Sequence, residues 1–157
     1  IQGGAIGGGL GLSLVADFRI GCNESRFSAN FSRLGFHQGF GTTVTLPRVV
    51  GPQNAAMMML TGRRLKGQES FDIGLIDYLV PLNEVRSKAI ELAEEISEAG
   101  PLAVQSIRAT IRAGLAEQVE EIVAWELSEQ VRLQSTKDFK EGIKASLERR
   151  KPKFEGS

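Results

Sequence analysis

The 157 residues contain one cysteine, one histidine, one tryptophan and one tyrosine. Cys22 has no second thiol with which to form an internal disulfide. With His37 as the only imidazole, a zinc site is untenable, because such sites take three or four such ligands. No metal is expected. Net charge is missing too: 19 basic residues balance 19 acidic ones, so no bulk positive field draws in nucleic acid. No apolar run approaches the roughly 20 residues of a membrane-spanning helix, and no basic-then-apolar secretion signal precedes the first turn. Neither a membrane nor a nucleic-acid partner is expected, and a reducing cytoplasmic setting is the default. An initiator methionine is absent, and Ile1 reads as the middle of an element. The chain is therefore expected to be a fragment of a longer polypeptide.

What is present suits a soluble globular core, with 41% hydrophobic and 24% charged residues. The most informative stretch is Ile1-Gln2-Gly3-Gly4-Ala5-Ile6-Gly7-Gly8-Gly9-Leu10-Gly11-Leu12. Three successive glycines weaken a helix interior, so they belong just before a helix, where the segment Leu10 to Ala16 would begin. A helix start leaves N–H groups unpaired, which suits an anionic oxygen. The same spacing also suits a tight strand-to-helix turn needed only for packing.

Asp17 to Cys22 reads as a short strand and Arg26 to Ala29 as a strand edge, followed by a loop rich in Gly and Phe through Gly41. Thr42 or Thr43 caps a helix to about Val50 that Pro47 should shorten or bend. Gly51-Pro52 stops one helix and starts the next, over 53–61, whose Met57-Met58-Met59 run reads as core filler. A short helix over 68–73 and a strand over 75–80 follow. From Asn83, read as a cap, the chain is all helix: 83–98 with Val85, Ala89, Leu92, Ala93 and Ile96 on one stripe, then 102–113, 117–134 and 136–148.

Several motifs fail on spacing. A dinucleotide-binding G-x-G-x-x-G from Gly7 meets Leu12, and from Gly9 it meets Leu14. A P-loop from Gly3 finds Gly9 where lysine is required, and Ser13 lacks the flanking glycines of a nucleophile elbow. The glycines serve something other than these phosphate motifs.

Taken together, the glycine turn with Asp17-Phe18-Arg19-Ile20, then Leu34-Gly35, Gly39, Gly41-Thr42 and Leu46-Pro47-Arg48-Val49-Val50-Gly51, resembles the crotonase (enoyl-CoA hydratase/isomerase) superfamily. The blocks continue through Leu60-Thr61-Gly62, 74–81, Lys140-Glu141-Gly142-Ile143 and Arg150-Lys151-Pro152, so the resemblance covers essentially the whole chain. It implies an α/β fold: the second half of a crotonase-like ββα superhelix over 1–99, followed by a helical trimerisation region over 100–157. The first half would be absent here. It implies a homotrimer or dimer of trimers, and 100–157 offers more amphipathic surface than so small a body can bury.

The resemblance also implies an acyl-CoA thioester as substrate, in fatty acid metabolism, with no separate cofactor because coenzyme A is part of the substrate. Two backbone N–H groups would polarise the thioester carbonyl; Gly8 matches one, and the other lies in the missing half. Hydratases of this family carry two glutamates, and the matching positions here are Gly11 and Phe31. An ordinary hydratase is not expected; a lyase or isomerase passing through a thioester enolate or oxyanion is, with isomerisation, decarboxylation, hydrolysis and an atypical hydration all open. His37 is the candidate replacement proton carrier, the alternative being a loop histidine that only bonds backbone. Gly7, Gly11, Phe31, Phe36 and Gly39 are the candidate substrate-binding positions, with Ser28, Asn30, Ser32 and Gln38 as weaker orienting groups. Gly39 stands where dienoyl-CoA isomerases place an aspartate. Lys140, Lys144, Arg149 and Lys151 could meet a CoA phosphate or form a solvated tail. The alternative to an enzyme is a non-catalytic acyl-CoA-binding paralogue.

Overall fold

The computed structural model describes residues 1–157. Strand β1 (Gly4–Ile6) turns directly into helix α1 (Gly8–Ser13). β2 (Ile20–Gly21) and β3 (Arg26–Ser28) follow, then a 3-10 turn over Asn30–Leu34 and the long α2 (Thr42–Thr61). β4 (Leu65–Lys66), α3 (Gly67–Asp72) and β5 (Tyr78–Leu79) complete the mixed part. Helices α4 (Val85–Ser97), α5 (Pro101–Ile111), α6 (Leu115–Gln134) and α7 (Lys137–Leu147) make up the rest. The expected order, strands with short helices first and helices afterwards, is the observed one.

The strands form two small sheets. β1 runs parallel to β3, in register Ala5 to Phe27, and β3 pairs antiparallel with β4. β2 runs parallel to β5, Ile20 beside Tyr78. The strands expected over 17–22 and 75–80 shrink to two residues each, because only those residues find a partner strand. On α1, Leu10 and Leu14 fall on one face by their i, i+4 spacing and are buried, while Leu12 points outward. They join Phe27, Leu46, Val50, Met58, Leu75 and Ile76 in one apolar cluster. Of the Met run only Met58 is fully in that core; Met59 flanks it and Met57 is exposed.

One local reading changes and two hold. The break expected at Gly51-Pro52 falls at Gly51, whose φ of 77° and ψ of 159° are open only to glycine, and the helix runs through Pro47 to reach it. Asn83 is not a cap, since a 3-10 turn over Leu82–Glu84 precedes α4 and no side chain caps it. Thr136 does cap α7, accepting from the Phe139 N–H at 3.1 Å.

The C-terminal helices bury little within this chain. Val85 is the one buried residue of α4, Glu126 the one of α6, and α5 has none. The stripe read on 83–98 therefore faces outward over most of its length: Val85 and Leu92 pack on Ile20 and Cys22, while Ile96 is exposed. Leu102 is 80% exposed and Trp125 62%. α5 is held to the end of α1 by charge instead: Arg108 and Arg112 donate to the Asp17 carboxylate at 2.8 and 2.7 Å. Burial pushes the Asp17 carboxyl up, but these two guanidinium hydrogen bonds outweigh it and hold it below its ordinary range.

The tail folds back on α7. Arg150 and the Lys153 N–H donate to Glu141, and the Glu155 and Gly156 N–H groups donate to Asp138. The Arg150 hydrogen bonds are the largest cause that lowers the Glu141 carboxyl from 4.5 to about 2. Because the folded value lies below the ordinary one, this clasp is complete above pH 4.5 and is lost as the pH falls towards 2. The protection of the Lys153 backbone amide, its exchange rate relative to the unstructured-peptide rate at the same pH, should therefore fall selectively between those values. Protection that stays level across the interval would show that the clasp does not hold the tail.

Candidate functional site

The site is built on the turn between β1 and α1. Gly7 takes φ 56° and ψ −119°, a conformation that carries the chain from strand to helix and that side chains disfavour. Its N–H donates to the Ser28 carbonyl at 2.9 Å and its carbonyl accepts from Gly11 at 3.1 Å, so both ends of the turn are fixed. The helix begins at Gly8, two residues earlier than expected. Gly8 is the first helical residue, so its N–H has no acceptor within the helix and points out of the end.

The candidate glycines are gathered by one aromatic side chain that sequence reading missed. Phe40 lies along one face of α1. A Cβ on Gly11 would sit 2.6 Å from the Phe40 Cβ, and a Cβ on Gly8 would sit 2.6 Å from Phe40 Cζ. Phe40 has φ 62° and is 65% exposed. Its neighbours pin it. Gly39 packs against Gln130 and Gly41 against Val119, both on α6, and Thr42 Oγ1 donates to the Gly39 carbonyl at 2.8 Å. Glu126, 1% exposed, reaches from α6 to cap the start of α2. Its carboxylate accepts from Gly41 N at 2.8 Å, Thr43 N at 3.2 Å and Thr43 Oγ1 at 2.6 Å.

The other candidates divide. Phe31 is buried beside Gly7, with its ring 3.6 Å from where a Gly7 Cβ would be. Phe36 stacks edge-on between Phe31 and Phe139 of α7, which makes it part of the packing between that loop and α7. His37 is half-buried; its Nδ1 lies 3.0 Å from the Gln38 carbonyl and its own carbonyl accepts from Gln130. No hydrogen bond joins His37 to α1. Ser28, Ser32 and Gln38 direct their donors to main-chain carbonyls: Gly62 for Ser28, Met59 for Ser32, Ala29 and Met59 for Gln38. Asn30 is the exception, its Oδ1 3.3 Å from the Gly7 Cβ direction.

Beside Asn30 opens a cleft of about 420 Å³ that Ser28 and Asn30 share with Arg33, Arg64, Arg149, Arg150 and Lys151. Of the basic terminal residues named from sequence, Arg149 and Lys151 line it, whereas Lys140 and Lys144 do not. Arg33, read from sequence as facing either a CoA phosphate or solvent, lines it as well. Arg64 was not singled out; only the return of α7 towards the end of α2 makes it a neighbour of the tail.

This glycine turn, the strands that carry it and the helices behind it recur in known proteins. The model of the enoyl-CoA hydratase/isomerase family matches residues 1–157. The chain belongs to that family. It is 34% identical over 154 residues to a crotonyl-CoA hydratase of Syntrophomonas wolfei, covering 98% of this chain and 59% of that protein. It is 32% identical to the mitochondrial methylglutaconyl-CoA hydratase of Mus musculus, covering 99% of this chain and 51% of that one. In three dimensions it matches an enoyl-CoA hydratase/isomerase of Pseudoalteromonas atlantica with a TM-score of 0.88 at 28% identity, covering 99% of this chain and 62% of that one. A carnitinyl-CoA hydratase of Mycobacterium avium gives 0.89 at 28% identity, covering 99% and 61%. The fold is therefore the second part of the crotonase fold, and the chain spans between half and about three-fifths of these relatives' length.

Proposed function

We propose that this chain carries one half of an acyl-CoA site in which the Gly8 N–H donates to the thioester carbonyl and to the enolate or oxyanion formed from it. The observation that carries the reading is the fixed Gly7–Gly8 turn with its outward N–H. The cationic cleft beside Asn30 supports it, since Arg33, Arg64, Arg149 and Lys151 offer a place for the CoA phosphates next to that turn. The substrate is then a CoA thioester and no separate cofactor is needed. The second carbonyl donor comes from outside these residues. Mutational loss of one such donor costs roughly 3–4 kcal/mol of barrier, so turnover needs both.

The reaction is an isomerase or lyase step through the enolate rather than ordinary hydration. Gly11 and Phe31, which match the hydratase glutamates, carry no proton, and a positioned acid or base is typically worth about 10²–10⁴-fold. The full-length protein, assayed on enoyl-, dienoyl- and malonyl-type CoA esters, should turn over at least one of them. Since His37 Nδ1 faces its neighbour's carbonyl, His37→Ala is expected to keep at least about half of that turnover; a loss of about a hundredfold or more would make His37 the proton carrier after all. The absence of a carboxylate at both positions also favours the second reading, an acyl-CoA-binding paralogue without catalysis. Calorimetric binding of esters with no turnover of any of them would decide for it.

The apolar residues left open on α5 and α6, among them Leu102, Ile107, Ile111, Trp125 and Val131, support assembly as a trimer or dimer of trimers. Sedimentation of the full-length protein as a monomer alone would remove that part of the proposal.

A further inference from the structure

Phe40 combines two features that folding alone does not favour. It is a non-glycine residue at φ 62°, and it leaves a phenyl ring 65% exposed. Both persist because the flanking residues over-determine the loop, through Gly39 on Gln130, Gly41 on Val119 and the Glu126 carboxylate on Gly41 and Thr43. The ring is not free to choose another place. One side rests on the bare backbone of Gly8 and Gly11, and the tip of the ring stands over Gly8 itself. A side chain at either glycine would evict it, so the two glycines and Phe40 form a single interlocked unit.

We propose that Phe40 is a specificity-determining residue whose exposed ring face forms the wall of the acyl subsite beside the Gly8 N–H. The inference rests on the reading of Gly8 as the carbonyl donor. A carbonyl oxygen held at Gly8 brings the carbons next to it alongside the ring. A flat, conjugated acyl group can lie against that face along its whole length in an offset geometry, whereas a saturated chain touches it through only some of its C–H groups. Phe40 thus favours a flat acyl group over a saturated one of the same length. Phe40 takes up the space a side chain at position 11 would need, which accounts for glycine there.

Crotonyl-CoA, butyryl-CoA and free coenzyme A form the discriminating set, because the first two differ by one double bond. Titrated calorimetrically into the full-length protein, crotonyl-CoA should bind several-fold more tightly than butyryl-CoA. In Phe40→Ala that preference should vanish, with crotonyl-CoA weakened about tenfold and free coenzyme A within about twofold of wild type. Phe40→Gly should lose the same preference while melting at a higher temperature than Phe40→Ala, because glycine relieves the left-handed backbone. If wild type binds the esters and both variants keep its preference, Phe40 is not the wall, although the acyl-CoA reading stands. If wild type binds none of the three, the acyl-CoA reading fails, and the role of Phe40 falls with it.

Discussion

Glu126→Ala should destabilise the protein by about 3 kcal/mol, even though no other residue of its helix is buried. Glu126 is the only buried residue of α6, and its carboxylate accepts three hydrogen bonds from Gly41 and Thr43 at the start of α2. Alanine would leave the two backbone N–H groups there without an acceptor, in a place where Gly41 is already shut off from water. Each unsatisfied buried donor costs about 1–3 kcal/mol, and the bonds lost are to a carboxylate, which are stronger than neutral ones. For a domain of this size, 3 kcal/mol corresponds to a fall in Tm of roughly 6–12 °C. Glu126→Gln should fall between, because the amide keeps one acceptor but turns an NH2 group towards N–H donors. The same change should loosen the Gly39–Thr43 segment and with it Phe40, so ester binding should weaken alongside the melting point. A Tm within a degree of wild type would show that α2 is capped by something else.

Glu126 also shows where the sequence stops being legible. The glycine turn could be read because its cause is local: Gly7, Gly8 and Gly9 adjoin one another, and a strand-to-helix corner needs them there. Gly51-Pro52 could be read for the same reason. A cap delivered from 85 residues away has no local signature, and Glu126 looks like any other charge on an amphipathic helix. Phe40 was hidden differently. It lies between Gly39 and Gly41, and a glycine-rich loop gives no hint that the left-handed residue is also the phenylalanine. His37 and Phe36 were picked out on residue type, yet their direction is set by α6 and α7, whose approach to this loop is a tertiary event. The outward stripes on α4 to α6 follow the same rule: periodicity says that one face is apolar and does not say which body covers it.

Gly142→Ala should be the most damaging single methyl in the chain's helical part. On propensity alone the change should help, by up to about 1 kcal/mol, since alanine is the better helix former. Packing reverses the sign. An added Cβ would stand 2.4 Å from the Leu34 carbonyl carbon, 2.5 Å from its oxygen and 2.8 Å from its Cα. Ordinary carbon contacts lie at about 3.5–4.0 Å, so α7 must retreat by roughly 1 Å from the 3-10 turn. All three atoms are backbone, so no side chain can swing aside. Gly35 answers from the opposite side, its own Cβ direction meeting the Asp138 carbonyl at 2.6 Å. Retreat therefore opens both contacts and pulls Phe139 from the ring of Phe36 that it stacks on. Overpacking of this kind typically costs about 1–3 kcal/mol, and the absence of any yielding side chain sets the expectation at the upper end. Gly100→Ala is the open-space control: its nearest neighbour is Ala103 Cβ at 3.9 Å and its φ of −58° suits alanine, so only the poorer N-cap of α5 counts against it and the loss should stay at or below about 1 kcal/mol. Thermal melts of the two variants side by side separate the arguments. If Gly142→Ala melts at or above wild type, helix propensity governs this position, and α7 is not seated backbone to backbone on the turn that carries Phe31 and Phe36.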